Sequence, residues 1–185
     1  SLFVFFNSLG SEYFDSFWLF ISESDIIEVI YLFLVIEFLR FFKIKDLKSI
    51  LIFLLSMILM IVFTDQSSNF FKEFFERLRP CHNPELIEII RIVKDGCGGL
   101  YGFFSAHAAN TFAFASFIYF LTPNENNYKR TSFLLFIWAA IISYSRIYIG
   151  VHFPLDIIIG AIYGLLSGYL FHKPFLYFRK SKLIL

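Results

Sequence analysis

The sequence predicts an all-α fold, a polytopic bundle of about five transmembrane helices preceded by interfacial helices at the N-terminus. Three observations carry this. Hydrophobic residues make up 58% of the 185, against roughly 45–50% in soluble domains. Phe alone occurs 28 times, and mean hydropathy is +0.69. Apolar runs approaching the about 20 residues of a membrane span alternate with short charged connections. The length suits a single membrane-embedded domain, 1–185. A net charge of +1 gives no electrostatic case for a nucleic-acid partner.

Taken in order, residues 1–22 mix Phe, Leu and Trp with Asn7, Ser8, Gly10, Glu12 and Asp15. That mixture is too polar for a span and predicts an interfacial amphipathic helix or pair of helices. No Lys or Arg precedes Arg40, so no cleavable secretory signal is expected, since its first region is basic. Spans are predicted over 26–42, 47–64, 103–122, 131–149 and 154–172. Glu37 and Arg40 lie one turn apart on the first and are expected to pair. The second is predicted to continue as "DQSSNFFKEFFERLR" until Pro80 stops it, with Asp65, Ser68, Lys72 and Arg79 sharing one helix face. Residues 80–102 form the longest polar segment, an outer loop expected to hold a short helix at 85–93. Pro154 suits the first turn of the last span.

Basic residues in short connections set orientation. Arg40, Lys43, Lys45 and Lys48, then Lys129 and Arg130, then Lys173, Arg179, Lys180 and Lys182 all fall on one side of a five-span chain. That side is expected to be cytoplasmic, with the N-terminal segment, the outer loop and residues 145–156 on the other. Arg77, Arg91 and Lys94 on the outer side read as loop solvation, with a second phosphate as the alternative. Cys81 and Cys97 lie in the same outer loop, where an oxidising periplasm would join them and a reducing compartment would leave two thiols.

Three stretches bring chemistry to that side. "KEFFERLRP" supplies Lys72 and Arg79, "GFFSAHAAN" supplies Ser105 and His107, and "SRIYIGVHFPLD" supplies Arg146, His152 and Asp156. Three fixed cations answer a multiply charged oxyanion, for which phosphate is the obvious choice. Backbone amides at the start of the third span would face the same anion, and Gly96, Gly98, Gly99 and Gly102 let the backbone come close. Asp156 can accept a hydrogen bond from one nitrogen of His152 and expose the other as nucleophile or base, leaving His107 as a proton donor. Taken singly, each residue has a plainer explanation: a snorkelling cation at a helix end, or a satisfied core histidine. Their company at one membrane depth reverses that preference.

The order Lys72–Arg79–Pro80, Phe104–Ser105–Ala106–His107 and Ser145–Arg146–His152–Asp156 resembles the tripartite signature of the type 2 phosphatidic acid phosphatase (PAP2) superfamily, whose core is also that of the vanadium haloperoxidases. The resemblance implies a bacterial lipid phosphate phosphatase. His152 would attack phosphorus to form a phosphohistidine, with Asp156 orienting it. His107 would protonate the leaving oxygen, and Lys72, Arg79, Ser105 and Arg146 would hold the phosphate. It also implies no metal and no cofactor. The middle motif departs from the usual Pro-Ser-Gly-His, because Phe104 and Ala106 replace Pro and Gly. Ala tolerates positive φ poorly, which bears on the anion-hole geometry more than on the reaction class.

The expected partners are the bilayer and a membrane lipid phosphate. The expected location is the bacterial inner membrane, with the site facing the periplasm. Undecaprenyl diphosphate leads as substrate, followed by phosphatidylglycerophosphate, phosphatidate and the 1-phosphate of lipid A. A lipid phosphotransferase is the second enzymatic reading. A transporter or structural subunit is the non-enzymatic one, disfavoured because transporters place ionisable groups near midspan.

Overall fold

A computed structural model describes residues 1–23, 26–41, 44–122 and 126–182, the side chains of 26–29, 41, 126–128, 131 and 179–182 excepted. Of the basic residues used for orientation, Lys43 therefore lies outside the described residues, as do the side chains of Arg179, Lys180 and Lys182. Among the described residues there are seven α-helices: α1 (Leu2–Ser8), α2 (Glu12–Glu23), α3 (Ile26–Phe41), α4 (Leu47–Phe75), α5 (Ala106–Leu121), α6 (Asn126–Tyr148) and α7 (Pro154–Lys182). Among the described residues, the one β-type pairing is an isolated bridge between Leu78 and Tyr101.

Helices α3 to α7 occupy the five stretches expected to span. By length and composition, α4 and α7 can each cross a membrane, while the apolar part of α6, Ser132–Tyr148, is shorter. The core helix of a soluble protein can be as long and apolar, but it is mostly buried; here only 28% of the most apolar stretch of each helix is. Leu51, Leu55 and Ile58 on α4, with Ile158, Ile162 and Leu166 on α7, are at least half exposed. Such continuous apolar surface suits lipid and would associate in water. α7 also runs past the predicted end at 172, through Pro174. That proline removes one backbone bond, a loss membrane helices tolerate.

The bundle centres on α5, whose most extensive contact is with α7. Lipid tails are as apolar as Leu, so helix association in a bilayer depends on close packing at small residues. Gly160, Gly164 and Gly168 recur every four residues along α7 and face Ala108, Ala109, Ala113 and Ser116 of α5. A Cβ at Gly160 would stand 2.7 Å from Ser105 O, and one at Gly164 or Gly168 would press closer still on Ala109 O or Ala113 O. Toward the other end, Phe53, Phe117 and Phe175 are buried against one another between α4, α5 and α7.

The N-terminal segment forms a pair of helices, and its polar residues bind the C-terminal end of α6. Asn7 is buried; its Nδ2 donates to Arg91 O, Ile147 O and Tyr148 O at 3.0–3.2 Å, and its Oδ1 accepts from Arg91 N at 2.7 Å. Tyr148 Oη donates to Ser11 O and Asp15 Oδ1 and stacks on Trp18. Glu37 and Arg40 pair at 2.8 Å, as expected.

Three local expectations are corrected. Helix α4 does not reach Pro80: it ends at Phe75, where Glu76 adopts φ 47° and its N–H bonds Lys72 O. Arg79 is therefore not on the helix face of Lys72. It follows the Leu78–Tyr101 bridge, with its N–H donating to Leu100 O. No helix forms at 85–93; Asn83 O and Leu86 O accept isolated turn bonds instead, because the segment's hydrogen bonds go to the loop and to Asn7. Arg91 and Lys94 are not merely solvated but pair with Asp15 and Glu23 of α2. The loop is closed by a disulfide between Cys81 and Cys97, with Cα atoms 6.0 Å apart.

Two stability measurements check this architecture. Gly164→Ala is expected to force α5 and α7 apart and cost about 1–3 kcal/mol, read as a lower Tm in detergent, while lipid-facing Leu166→Ala leaves Tm almost unchanged. An unaltered Tm in Gly164→Ala would refute the close packing. The double variant Cys81→Ser, Cys97→Ser is expected to lose about 3 kcal/mol through loop entropy, with Tm unchanged if the loop is ordered without the link.

Candidate active site

Two helix N-termini open side by side at one end of the bundle. Ser105 caps α5, its Oγ accepting from Ala108 N at 3.4 Å. Pro154 begins α7, and Asp156 in its first turn accepts the Phe153 N–H at 2.8 Å on Oδ2, so a carboxylate satisfies one of the orphan donors at the helix start. The starts are joined directly, because Ser105 N donates to Asp156 O at 3.2 Å. Both positive helix ends therefore face one place, which favours an anion there. Ala106 is the first residue of α5 and needs no positive φ; among non-glycine described residues only Glu76 has one. The departure from Gly thus leaves the backbone unstrained at that position.

His152 is carried in by the turn between α6 and α7. Gly150, at φ 88°, allows the reversal, and a Cβ there would meet Arg91 O at 2.7 Å. Val151 N and His152 N then both donate to Arg146 O, so the histidine is anchored to the residue bearing a neighbouring cation. The His152 ring is 2% exposed, with Nδ1 3.5 Å from Asp156 Oδ2. Burial, then the charges of Arg146, Arg79, His107 and Lys72 around it, hold the imidazole well below its ordinary pKa. His152 is thus neutral at neutral pH.

The cations arrive from three elements. Lys72 stands in the last turn of α4, its Nζ donating to Asn69 Oδ1 at 3.2 Å and its charge opposed by Arg79 and Arg146. Arg79 is fixed by donating from Nε to Tyr101 O at 3.2 Å and from Nη1 to Cys97 O at 3.1 Å. Gly102 lets this arginine pass, since a Cβ would stand 3.1 Å from its Cγ. Arg146, 3% exposed, donates from Nη1 to Ser22 O, Ser22 Oγ and Glu23 Oε1, while its Nε is buried without a protein partner. His107, on the first turn of α5, is solvent-accessible yet hemmed in by Arg146, Glu23, Lys72 and Lys94, as befits a side chain lining a cleft.

The structure therefore brings together all seven residues singled out from the sequence: Lys72, Arg79, Ser105, His107, Arg146, His152 and Asp156. Ser68, also singled out on α4, is buried and donates to Phe104 O at 2.8 Å, tying α4 beneath the α5 cap. Two participants were missed. Arg77, expected to be solvated, donates from Nη2 to Asp156 Oδ1. Glu23 bridges Arg146 and Lys94. The signal for Glu23 was present in an N-terminal segment with acids and no bases, placed opposite a basic loop. Among the described residues, no group of three or more His, Cys, Asp or Glu is disposed to hold a metal. The arrangement offers a neutral buried imidazole backed by a carboxylate, a second imidazole, a capping hydroxyl and three cations at two helix N-termini, which suits phosphoryl chemistry.

Comparison with known proteins bears on the family and the fold. The chain is 39% identical over 145 residues to a lipid A 4'-phosphatase of Porphyromonas gingivalis, covering 77% of this chain and 58% of that protein. It is 34% identical over 174 residues to a lipid A 4'-phosphatase of Bacteroides thetaiotaomicron, covering 92% and 74%. The chain thus spans under two thirds of the first relative's length. The crystal structure of Aquifex aeolicus LpxE superposes with a TM-score of 0.62 at 26% identity, over 93% of both chains. That of a transmembrane PAP2-type phosphatidylglycerolphosphate phosphatase from Bacillus subtilis gives 0.65 at 20% identity, over 90% and 78%, a likeness of fold. Residues 49–180, which hold every motif above, match the PAP2 superfamily, and the chain belongs to that superfamily.

Proposed function

We propose that the protein is a membrane lipid phosphatase that hydrolyses a phosphomonoester of a lipid A-type glycolipid, with the 4'-phosphate as the preferred group. The observation that carries the reaction class is the buried, neutral His152, backed by Asp156 and facing the charges of Lys72, Arg79 and Arg146. The names of the two curated relatives support the substrate. Undecaprenyl diphosphate, the substrate expected first from the sequence, serves as the comparison substrate.

On this reading His152 Nε2 attacks phosphorus and the ester P–O bond breaks. The leaving sugar oxygen takes a proton from His107, whose charged form the bound phosphate dianion favours. His107 then removes a proton from water, which cleaves the phosphohistidine and releases inorganic phosphate. Lys72, Arg79, Arg146 and the Ser105 hydroxyl hold the equatorial oxygens, and no cofactor enters. The whole chain, 1–185, acts as one domain in the bacterial inner membrane, with its site toward the periplasm; the Cys81–Cys97 link supports an oxidising side. The charged constellation lies at helix ends rather than midspan, which argues against a transporter.

Phosphate release in detergent from lipid A bisphosphate, undecaprenyl diphosphate, phosphatidylglycerophosphate and phosphatidate tests the substrate, with mass spectrometry locating the phosphate lost. Preference for any lipid other than lipid A overturns the substrate assignment, and phosphate appearing only with a lipid acceptor makes the enzyme a transferase. His152→Ala and His107→Ala are expected to fold and to lose at least about 100-fold in kcat; undiminished turnover in His152→Ala would defeat the mechanism. Orthovanadate is expected to inhibit by mimicking five-coordinate phosphorus, whereas EDTA leaves the rate unchanged. Loss of activity with EDTA would require a metal.

A further inference from the structure

Asp156 is wholly buried, and its carboxylate has three neighbours. Oδ2 accepts from Phe153 N at 2.8 Å and lies 3.5 Å from His152 Nδ1, while Oδ1 accepts from Arg77 Nη2. Among the described residues, Arg77 is the cation in direct hydrogen-bonded contact with this carboxylate. Its guanidinium lies over two rings, 4.8 Å from the centre of Phe103 and 5.3 Å from that of Phe153. Its backbone is fixed as well, because Gly102 N donates to Arg77 O at 2.9 Å. A guanidinium held on two aromatic faces and a carboxylate has one geometry available.

We infer that Arg77 is a positioning residue of the reaction: it holds Asp156 Oδ1, fixes the carboxylate behind His152 Nδ1, and balances its charge so that the imidazole stays unprotonated with Nε2 free to attack. This rests on His152 being the nucleophile. A buried carboxylate beside an imidazole, left without a counterion, draws a proton onto the ring, and an imidazolium has no lone pair to offer. Other charges face His152: Lys72 from α4, Arg79 from the outer loop, His107 from α5 and Arg146 from α6, with Glu23 of α2 among them through Arg146. Those four groups face the phosphate, and a bound dianion offsets them. Arg77, turned to Asp156, keeps its effect with substrate in place.

The test is a pH–rate profile of the full chain in detergent with the lipid phosphate that the wild type hydrolyses, the vesicle-free probe orthovanadate reporting site integrity. Arg77→Gln is expected to lower kcat about 10- to 100-fold, leave KM within about threefold, and move the acid limb of the kcat profile, which reports the substrate-bound enzyme, to higher pH by about one unit. Arg77→Lys, which keeps the charge, is expected to restore the limb. In an Asp156→Asn background, Arg77→Gln is expected to cost less than about threefold, because the group it acts through is already neutral. An unshifted limb, a rise in KM alone, or full multiplicativity with Asp156→Asn overturns the inference. Should Arg77→Gln not fold, Arg77→Lys carries the test, and a limb displaced by a full unit despite the retained charge overturns it. An inactive wild type, or full turnover in His152→Ala, defeats the phosphatase reading itself. An active wild type with inactive His152→Ala and an unaltered Arg77→Gln defeats only the role of Arg77.

Discussion

The close approach of α5 and α7 is the constraint on which the rest depends. With no Cβ at Gly160, Gly164 and Gly168, the backbones touch, and the two helices start at the same height. That places the Ser105 cap beside the Asp156 turn, joined by a backbone hydrogen bond. A wider separation would leave each helix with its own terminus and its own solvated amides. At this separation the two positive ends act on one volume, and Ser105, His107, His152 and Asp156 surround it. The geometry of the site therefore depends on residues with no side chain, Gly160 one turn from Asp156 and Gly164 and Gly168 further along α7.

The second constraint is ionic balance. A cluster of Lys72, Arg79, Arg146 and two histidines, partly withdrawn from water, is costly unless counter-charges are near. Within the cluster Arg146 pairs with Glu23, and the bases around it are paired as well, Lys94 with Glu23, Arg91 with Asp15 and Arg77 with Asp156. The N-terminal helices, which look in isolation like a membrane-surface anchor, thus have a second duty as the acidic partner of a basic face.

Much of this was legible in the sequence, and what was not has a common cause. The five apolar stretches, the two-helix N-terminal segment and the seven clustered residues follow from composition, local periodicity and motif spacing. The end of α4 does not. Nothing local at Glu76 stops a helix, and the periodicity runs on to Arg79; the helix stops because Leu78 and Arg79 bond to Leu100 and Tyr101, more than 20 residues away. Arg77 and Glu23 escaped notice for the same reason, since their partners lie 79 and 123 residues distant. The span pattern was visible, but α3 and α5, each 16 residues, fall below the length that makes a crossing plain from composition.

Arg146 shows what this balance means for turnover. Its Nη1 is already shared among Ser22 O, Ser22 Oγ and Glu23 Oε1. On the proposed reading an anion arriving at this guanidinium finds Nη1 already paired with a carboxylate and Nε without a protein partner, so the charge it meets is partly offset before it binds. On the same reading, affinity at that corner is moderated for substrate and inorganic phosphate alike. On the proposed reading the same tethered carboxylate stands ready to reclaim the arginine when the phosphate leaves, so Arg146 is not left without a counter-charge in the emptied site.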